Sequence, residues 1–383
     1  MALLKPRHRD DLRRQGYTVV KGVLTEEECT QYIQEYRDWI KDNFDEGLFP
    51  HCSNSLIQRY SIGHLSPSWS VRLKAQPVFA ELWETQELLS STDAVVIGRP
   101  PEEGEEAFHT LDKSWLHNDQ GAGRIGLHAY QGAVYLETAN MDDWVFECMD
   151  GSHKLLEKFY EEHPEEREAS INSDKDHLRL EEKHVKWFRE RGCLRRRVAV
   201  PARGSIVLWD SRLVHNNVRP IRGRSNPGRW RWAVMVCMTP ACWADKDSLR
   251  LKRKAYRELR MTTHWPSNGV RLFPNALPEG APRAKHPLKK LPEVAKTLEA
   301  LQLAGVMPYK KLQKKSEAGA GSNNNLYTPK FSPDYKPPKQ PPSSNNCGWI
   351  VVAVVSTIVC VVSIFAFVYI YNNPQSKYFR MGF

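Results

Sequence analysis

The sequence predicts a mainly β domain with flanking helices (α+β), a sandwich or jelly roll, followed by one C-terminal transmembrane helix. Three observations carry this. Helical patterns crowd the N-terminal part, short strand patterns dominate from about residue 115, and an uncharged apolar run stands near the end.

Taken in order, DDLRRQGYTVVKGVL (10–24) reads as a short helix passing through Gly16 into a strand. TEEEC follows. Thr25 is placed to cap a helix, with Glu28 at the reciprocal capping-box position, and the helix runs to about Ile40. A helical pattern covers about 70–92, and DAVVIG (93–98) reads as a strand. Further strands are expected at 124–130, 131–137, 144–149, 195–202, 204–210 and 229–238. Between them, 152–192 is charged and helical, and 245–262 forms one more helix outside the sheets. No repeat of the solenoid kind interrupts this order.

At 383 residues, 41% hydrophobic and 26% charged, the chain has the composition of a folded protein large enough for one big domain or two. Its net charge of +10 points to anionic partners without choosing among them, and no aromatic-interleaved basic motif speaks for nucleic acid. The 8 cysteines form no CxxC pair, which argues against a disulfide framework or a zinc ribbon. MALLKPRHRDDLRR lacks the apolar core of a signal peptide, so a cytosolic, reducing setting is expected for the domain.

From Trp349 to Tyr371 the chain is apolar and uncharged, WIVVAVVSTIVCVVSIFAFVYIY. As a helix it spans about 34 Å, against a hydrocarbon core of roughly 30 Å. Trp349, Tyr369 and Tyr371 stand at its ends, where interfacial aromatics belong, and lysines are denser before the run than after it. The expected organisation is a domain over 1–300 and a basic, then Pro/Ser/Asn-rich, disordered linker over 301–348. A transmembrane helix over 349–371 and a short tail over 372–383 complete it. That is a single-pass, tail-anchored layout with the domain cytosolic, in an organelle membrane or a viral envelope.

The chemistry begins at SWLHNDQG, which sets His117 and Asp119 two residues apart. Along a strand, residues i and i+2 share a face, so this imidazole and this carboxylate can share one metal. The spacing alone is weak. His8-Arg9-Asp10 and His163-Pro164-Glu165 also satisfy it, but one lies in the N-terminal tail and the other in a charged helical insertion. His215 closes GSIVLWDSRLVHNN, where a strand runs into a short loop, and supplies the third ligand of a 2-His-1-carboxylate face. That face leaves positions open for a chelating co-substrate and O2, as non-haem Fe(II) oxygenases require. In RWRWAVMVCMTP, Arg229, Arg231, Ala233 and Met235 fall on one strand face. A guanidinium there can clamp the distal carboxylate of 2-oxoglutarate bidentately. Arg231, directly ahead of the apolar core of the strand, is preferred, with Arg229 the alternative. A lone strand histidine is usually structural; the ordered set is what points to the enzyme.

These motifs resemble the phytanoyl-CoA dioxygenase family, in particular its fungal, algal and viral-type branches. QGYTVVKGVLTEEEC, HNDQG, YQGAVYLE, DGSHK, GSIVLWDSRLVHNN, RWAVMVCMTPA and ELRMTTHWP carry the resemblance from about residue 10 to about 275. It implies a double-stranded β-helix (cupin-like jelly roll), Fe(II), 2-oxoglutarate and O2, with CO2 and succinate as co-products and ascorbate as a reductant. On it His117, Asp119 and His215 match the iron ligands, Arg231 the 2-oxoglutarate arginine, and Gln131 a polar residue beside the co-substrate. With Asp119 in place it implies hydroxylation rather than halogenation. Two departures stand out. Arg231 lies 16 positions after His215, across an inserted RPIRGRSNPG, and Asp142-Asp143-Trp144 replaces the common Gly-Gly, a change expected to alter only a turn.

Arg212, Trp209 and His264 are candidates for meeting the substrate, whereas His128 is expected to be structural and His153 to fix a turn. The arginine-rich loop after His215 suggests an anionic small molecule or acyl substrate. The competing reading is a catalytically inactive, membrane-anchored structural or binding protein on the same fold.

Overall fold

A computed structural model describes residues 2–103, 115–173, 177–309 and 327–341. Helix α1 (Pro6–Gln15) leads into β1 (Tyr17–Val20), then α2 (Glu26–Asn43), β2 (Leu56–Ile57), α3 (Ser66–Trp83), β3 (Leu88–Ser90) and β4 (Val95–Gly98). The strand-rich half holds β5 (His117–Asn118), β6 (Arg124–Ile125), β7 (Tyr130–Tyr135) and β8 (Val145–Met149). An insertion of α4 (Leu156–Glu162), α5 (Pro164–Asn172), β9 (Leu178–Arg179) and α6 (Glu182–Glu190) follows. Then come β10 (Arg195–Val198), β11 (Ser205–Asp210), β12 (His215–Val218), β13 (Arg231–Pro240), α7 (Lys246–Arg257), α8 (Leu298–Leu303) and β14 (Lys330–Phe331).

The larger sheet runs β1-β11-β7-β13-β4-β2, with β3 also on β13, and the smaller runs β10-β8-β12-β5-β9. All pairings are antiparallel. The fold is thus a mixed α/β one with antiparallel sheets, consistent with a cupin-like oxygenase. Period-two alternation divides the side chains of the larger sheet. Val134, Ile206, Leu208, Trp232, Val234 and Val236 face outward against Cys29, Tyr36, Val71, Val78 and Phe79 of α2 and α3. Ala133, Tyr135, Val207, Trp209 and Ala233 face inward, packing on Val145, Phe146 and Cys148 of the smaller sheet. Each such buried aliphatic or aromatic side chain contributes about 1.5–3 kcal/mol. The helical insertion packs behind the smaller sheet, where Phe159 and Phe188 meet Leu116, Met149 and Val214.

The capping box forms as read: Glu28 N donates to Thr25 Oγ1 at 3.2 Å, and Thr25 N donates to Glu28 Oε2 at 3.0 Å. Other boundaries shift. The strand expected over 124–130 shortens to β6 (Arg124–Ile125), because Gly126 takes a positive φ and turns the chain, and the one expected over 131–137 forms as β7 (Tyr130–Tyr135). The helix expected over 70–92 starts at Ser66 and stops at Trp83, where Glu84 adopts a left-handed conformation.

The linker expected over 301–348 also needs correction where it is described. Residues 327–341 form a strap on the domain: Lys330 and Phe331 pair with Ile125 and Arg124, and Ser332 N donates to Gly123 O. Composition hid this, because the strap is held by three scattered aromatic side chains and by backbone hydrogen bonds rather than by a continuous apolar face. Its Tyr335 stacks against Phe331. All numbered elements belong to one unit, Met1–Phe273 with Leu277–Gln340. Among the described residues no helix is long and apolar enough to cross a membrane. The 349–371 run and the 372–383 tail lie outside them.

Candidate metal centre

Strands β5 and β12 are neighbours in register, and their first residues, His117 and His215, are direct partners across the ladder. Opposed residues of an antiparallel pair project to the same side, so the two imidazoles converge. Asp119, two residues on from His117, completes the set. Potential ligand atoms of the three lie within 4.8 Å of one another. Asp119 bridges the pair, with Oδ1 3.5 Å from His117 Nε2 and Oδ2 3.4 Å from His215 Nε2.

Each histidine is oriented from behind. His117 Nδ1 donates to Trp115 O at 3.1 Å and His215 Nδ1 to Leu213 O at 2.9 Å, which leaves both Nε2 atoms for a metal. Rings fix their planes: Trp115 stacks on His117 at 4.6 Å and Phe146 on His215 at 5.5 Å. Burial opposes ionisation of Asp119, but the neighbouring His264 and His117, with hydrogen bonds from His117 and His215, hold its carboxyl well below the usual range. Burial, with repulsion from His117, lowers the pKa of His215 and favours the neutral imidazole that ligates. Gln120 of HNDQG braces the loop behind Asp119, accepting from Ser211 Oγ at 2.8 Å and donating to Gly126 O at 2.7 Å.

The triad opens onto a cavity of about 490 Å³. Arg231 lines it, 4% exposed. Its Nη2 donates to Tyr135 Oη at 2.7 Å and Asn217 Oδ1 at 2.8 Å, while Nε and Nη1 are buried without a partner. A buried guanidinium held at Nη2 with its Nε and Nη1 donors bare is suited to receive a carboxylate. Gln131 also lines the cavity, with its Nε2 buried and unpartnered.

Of the other candidates, Trp209 and His264 line the cavity, and His264 Nδ1 is 4.0 Å from Asp119 Oδ2. Two lie elsewhere. Arg229 is engaged by Asp143 at 2.9 Å, and Arg212 is tied to Asp210 at 2.8 Å. The Asp142-Asp143-Trp144 departure does more than alter a turn: Asp143 is 2% exposed and also binds Arg224 at 3.0 Å. It pins Arg224 of the arginine-rich insertion and Arg229 beside it, and neither is among the described residues lining the cavity. His128 is structural as expected, with Nε2 donating to Lys330 O at 2.8 Å, and His153 Nε2 reaches Arg13 O at 3.2 Å. Sequence reasoning missed Trp115, Asn217, Asp93, His177, Arg179 and Arg271, all of which line the cavity. Alternation offered a signal for the first two, as i±2 neighbours of His117 and His215. The others arrive through tertiary packing.

The family model for phytanoyl-CoA dioxygenase (PhyH) matches residues 12–217. The chain belongs to this family. Membership makes the protein an enzyme, an Fe(II)/2-oxoglutarate-dependent dioxygenase. A curated relative, Ava biosynthesis cluster protein O of Aspergillus versicolor, is 27% identical over 279 residues, covering 68% of this chain and 86% of its own. Among solved structures, the GlcNAc Inducible Gene 2 protein of Candida albicans matches with a TM-score of 0.57 at 12% identity, over 81% of this chain and 78% of that one. EctD from S. alaskensis, solved with 2-oxoglutarate and 5-hydroxyectoine, matches with a TM-score of 0.43 at 13% identity, over 63% and 78%. The residues present fit the family's cofactors. Two imidazoles and a carboxylate suit Fe(II), and the bare Nε and Nη1 donors of Arg231 suit the distal carboxylate of 2-oxoglutarate.

Proposed function

We propose that the protein hydroxylates a C–H bond of a small-molecule or acyl substrate, with CO2 and succinate as co-products. The observation that carries this reading is the convergence of the triad and the half-partnered Arg231 on one cavity. His117, Asp119 and His215 would hold the iron, and Arg231 with Gln131 would seat 2-oxoglutarate. Iron so bound supplies activation of O2 for oxidation of the substrate. The chain's own contribution is placement and dryness. Trp115 and Phe146 fix the histidine rings, the hydrogen bonds to Trp115 O and Leu213 O set their tautomers, and Asp119 stays ionised across the physiological range. Ascorbate would act as an outside reductant.

The facing sheets are read as a double-stranded β-helix, and the motifs favour the fungal, algal and viral-type branches. The 349–371 run is read as a single-pass tail anchor that leaves the domain cytosolic, on an organelle membrane or a viral envelope. The substrate is proposed to be anionic, and nucleic acid is not expected as a partner.

The test uses the full-length chain in detergent with Fe(II), ascorbate and 2-oxoglutarate, following succinate. The wild type should form succinate, and His117→Ala should lower it by more than about 100-fold, beyond the usual loss for an outer-shell partner. Absence of both turnover and 2-oxoglutarate binding in the wild type, or equal succinate from the variant, would favour the inactive membrane-anchored protein instead.

A further inference from the structure

We propose that the iron cavity contains a second anion-binding subsite, centred on Arg271, that selects substrates bearing a carboxylate or phosphate group on an apolar body. The inference rests on the oxygenase reading, because it takes Arg231 as the cation of the co-substrate. Among the described residues, Arg179 and Arg271 are the further arginines of the lining, and Arg179 is engaged by an interaction of its own.

Charge balance is the first reason. The two positive charges of Fe(II), Asp119, the two carboxylates of 2-oxoglutarate and Arg231 cancel one another. Among the described residues of the lining, Arg271 then remains without a charge partner, and Asp93 is the acid left. Asp93 is 6% exposed, and its Oδ1 accepts from the backbone N–H of Ala94 at 2.7 Å. The buried guanidinium of Arg72 faces Asp93, so Arg271 keeps a positive charge that a substrate anion would neutralise.

Placement is the second reason. Arg179 lies on β9 directly opposite His117 on β5, so its side chain leaves the ladder on the same side as that iron ligand. Arg271 also lines the cavity, and its carbonyl accepts from Thr263 N at 2.9 Å, next to His264 in the chain. Its guanidinium has no hydrogen bond or ion pair among the described residues, although the residue is only partly exposed. The backbone that carries it is clamped from both sides by one side chain. Gln340 Oε1 accepts from Leu272 N at 3.0 Å, and Gln340 Nε2 donates to Val270 O at 2.8 Å. An unpaired arginine on an immobilised backbone is a pre-organised anion receptor, with Gln340 as its positioning residue. Leu56, Met235, Phe273 and Pro338 line the same cavity and offer the apolar body its surface.

The test loads the full-length chain in lipid nanodiscs with Mn(II) and 2-oxoglutarate, which prevents turnover. Hexyl phosphate, hexanoate and hexanol are then titrated against tryptophan fluorescence, since Trp115, Trp209 and Trp265 line the cavity. One or both anions should bind at least about 10-fold tighter than hexanol, and whichever is tighter identifies phosphate or carboxylate as the group read. Arg271→Ala should bring the anions down to the level of hexanol, Arg271→Lys should keep part of the preference, and Gln340→Ala should weaken it by about 3-fold or more. Affinity for 2-oxoglutarate should be unchanged in all three, which also shows that they fold. Equal binding of hexanol and the anions by the wild type, or an unchanged preference in Arg271→Ala, overturns the subsite. Loss of 2-oxoglutarate binding in Arg271→Ala overturns it too, by making Arg271 the cation of the co-substrate. The oxygenase reading is judged separately, by whether Arg231→Ala weakens 2-oxoglutarate binding by about 10-fold or more.

Discussion

Arg229 and Arg231 are two positions apart, but Arg229 falls just before β13 and Arg231 opens it, and the fold gives them different work. Arg231 is 4% exposed with two bare nitrogens in the cavity, while Arg229 is paired with Asp143. Replacing Arg231 by Ala should weaken 2-oxoglutarate binding by about 10- to 100-fold, as expected for loss of a charge-assisted hydrogen bond. Arg229→Ala should leave that affinity within about 3-fold and lower the melting temperature by a few degrees, because Asp143 keeps only Arg224. Titration of 2-oxoglutarate into both Mn(II)-loaded variants separates the roles, and a large effect at Arg229 alone would reverse them. The sequence could not choose between these arginines, because what removes Arg229 is an aspartate 86 positions away in the chain. The same aspartate explains why the arginine-rich insertion misled. Arg224 and Arg229 are answered locally, and the described cations lining the cavity besides Arg231 come from β9 and from Arg271.

Elements were legible wherever a local rule decides them. Thr25 and Glu28 form their capping box, and the alternation of QGAVY and WAVMV sorts side chains between the helix layer and the inter-sheet layer. Elements set by partners far along the chain were not. Strand β9 exists because Arg179 and Leu178 find His117 and Asn118, and β14 because Lys330 and Phe331 find Ile125 and Arg124. His128 reports on that second pairing. Arg124 Nη1 donates to its Nδ1 at 3.3 Å and its Nε2 donates to Lys330 O at 2.8 Å, an arrangement that needs the neutral ring. Burial, then Arg124, pushes its pKa down to about 3. Because that value lies below the unfolded one of about 6.5, the unfolded chain takes up the proton first, and stability falls as pH drops from about 6.5 towards 3. Near pH 5 this side chain should cost about 2 kcal/mol. His128→Gln keeps a donor and an acceptor without titrating, so its thermal midpoint should fall less steeply between about pH 7 and 5. Parallel curves for variant and wild type would remove His128 from the acid response.

At the scale of the whole molecule, the strap over 327–341 marks where the folded unit ends in a way composition could not. Four partly or fully buried groups of the domain depend on it: Trp243 Nε1 on Tyr327 O, His128 Nε2 on Lys330 O, Arg124 Nη2 on Tyr335 Oη, and Leu272 N on Gln340 Oε1. The guanidinium of Arg124 also sits 3.7 Å from the centre of the Trp265 ring and 5.3 Å from that of Tyr335, a cation held between aromatic faces. Leaving a buried polar group unpaired costs about 1–3 kcal/mol, so removing the strap should destabilise the domain by several kcal/mol even though it takes away almost no core. A chain ending at 326 should therefore melt well below one ending at 341, whereas the latter should melt with the full-length protein. The apolar run at 349–371 predicts a different split. The full-length chain should stay with the membrane pellet after an alkaline carbonate wash, and both shortened chains should be released. Equal melting of the 326 and 341 chains would make the strap a passive passenger. Release of the full-length chain would remove the anchor while leaving the iron site and the strap untouched.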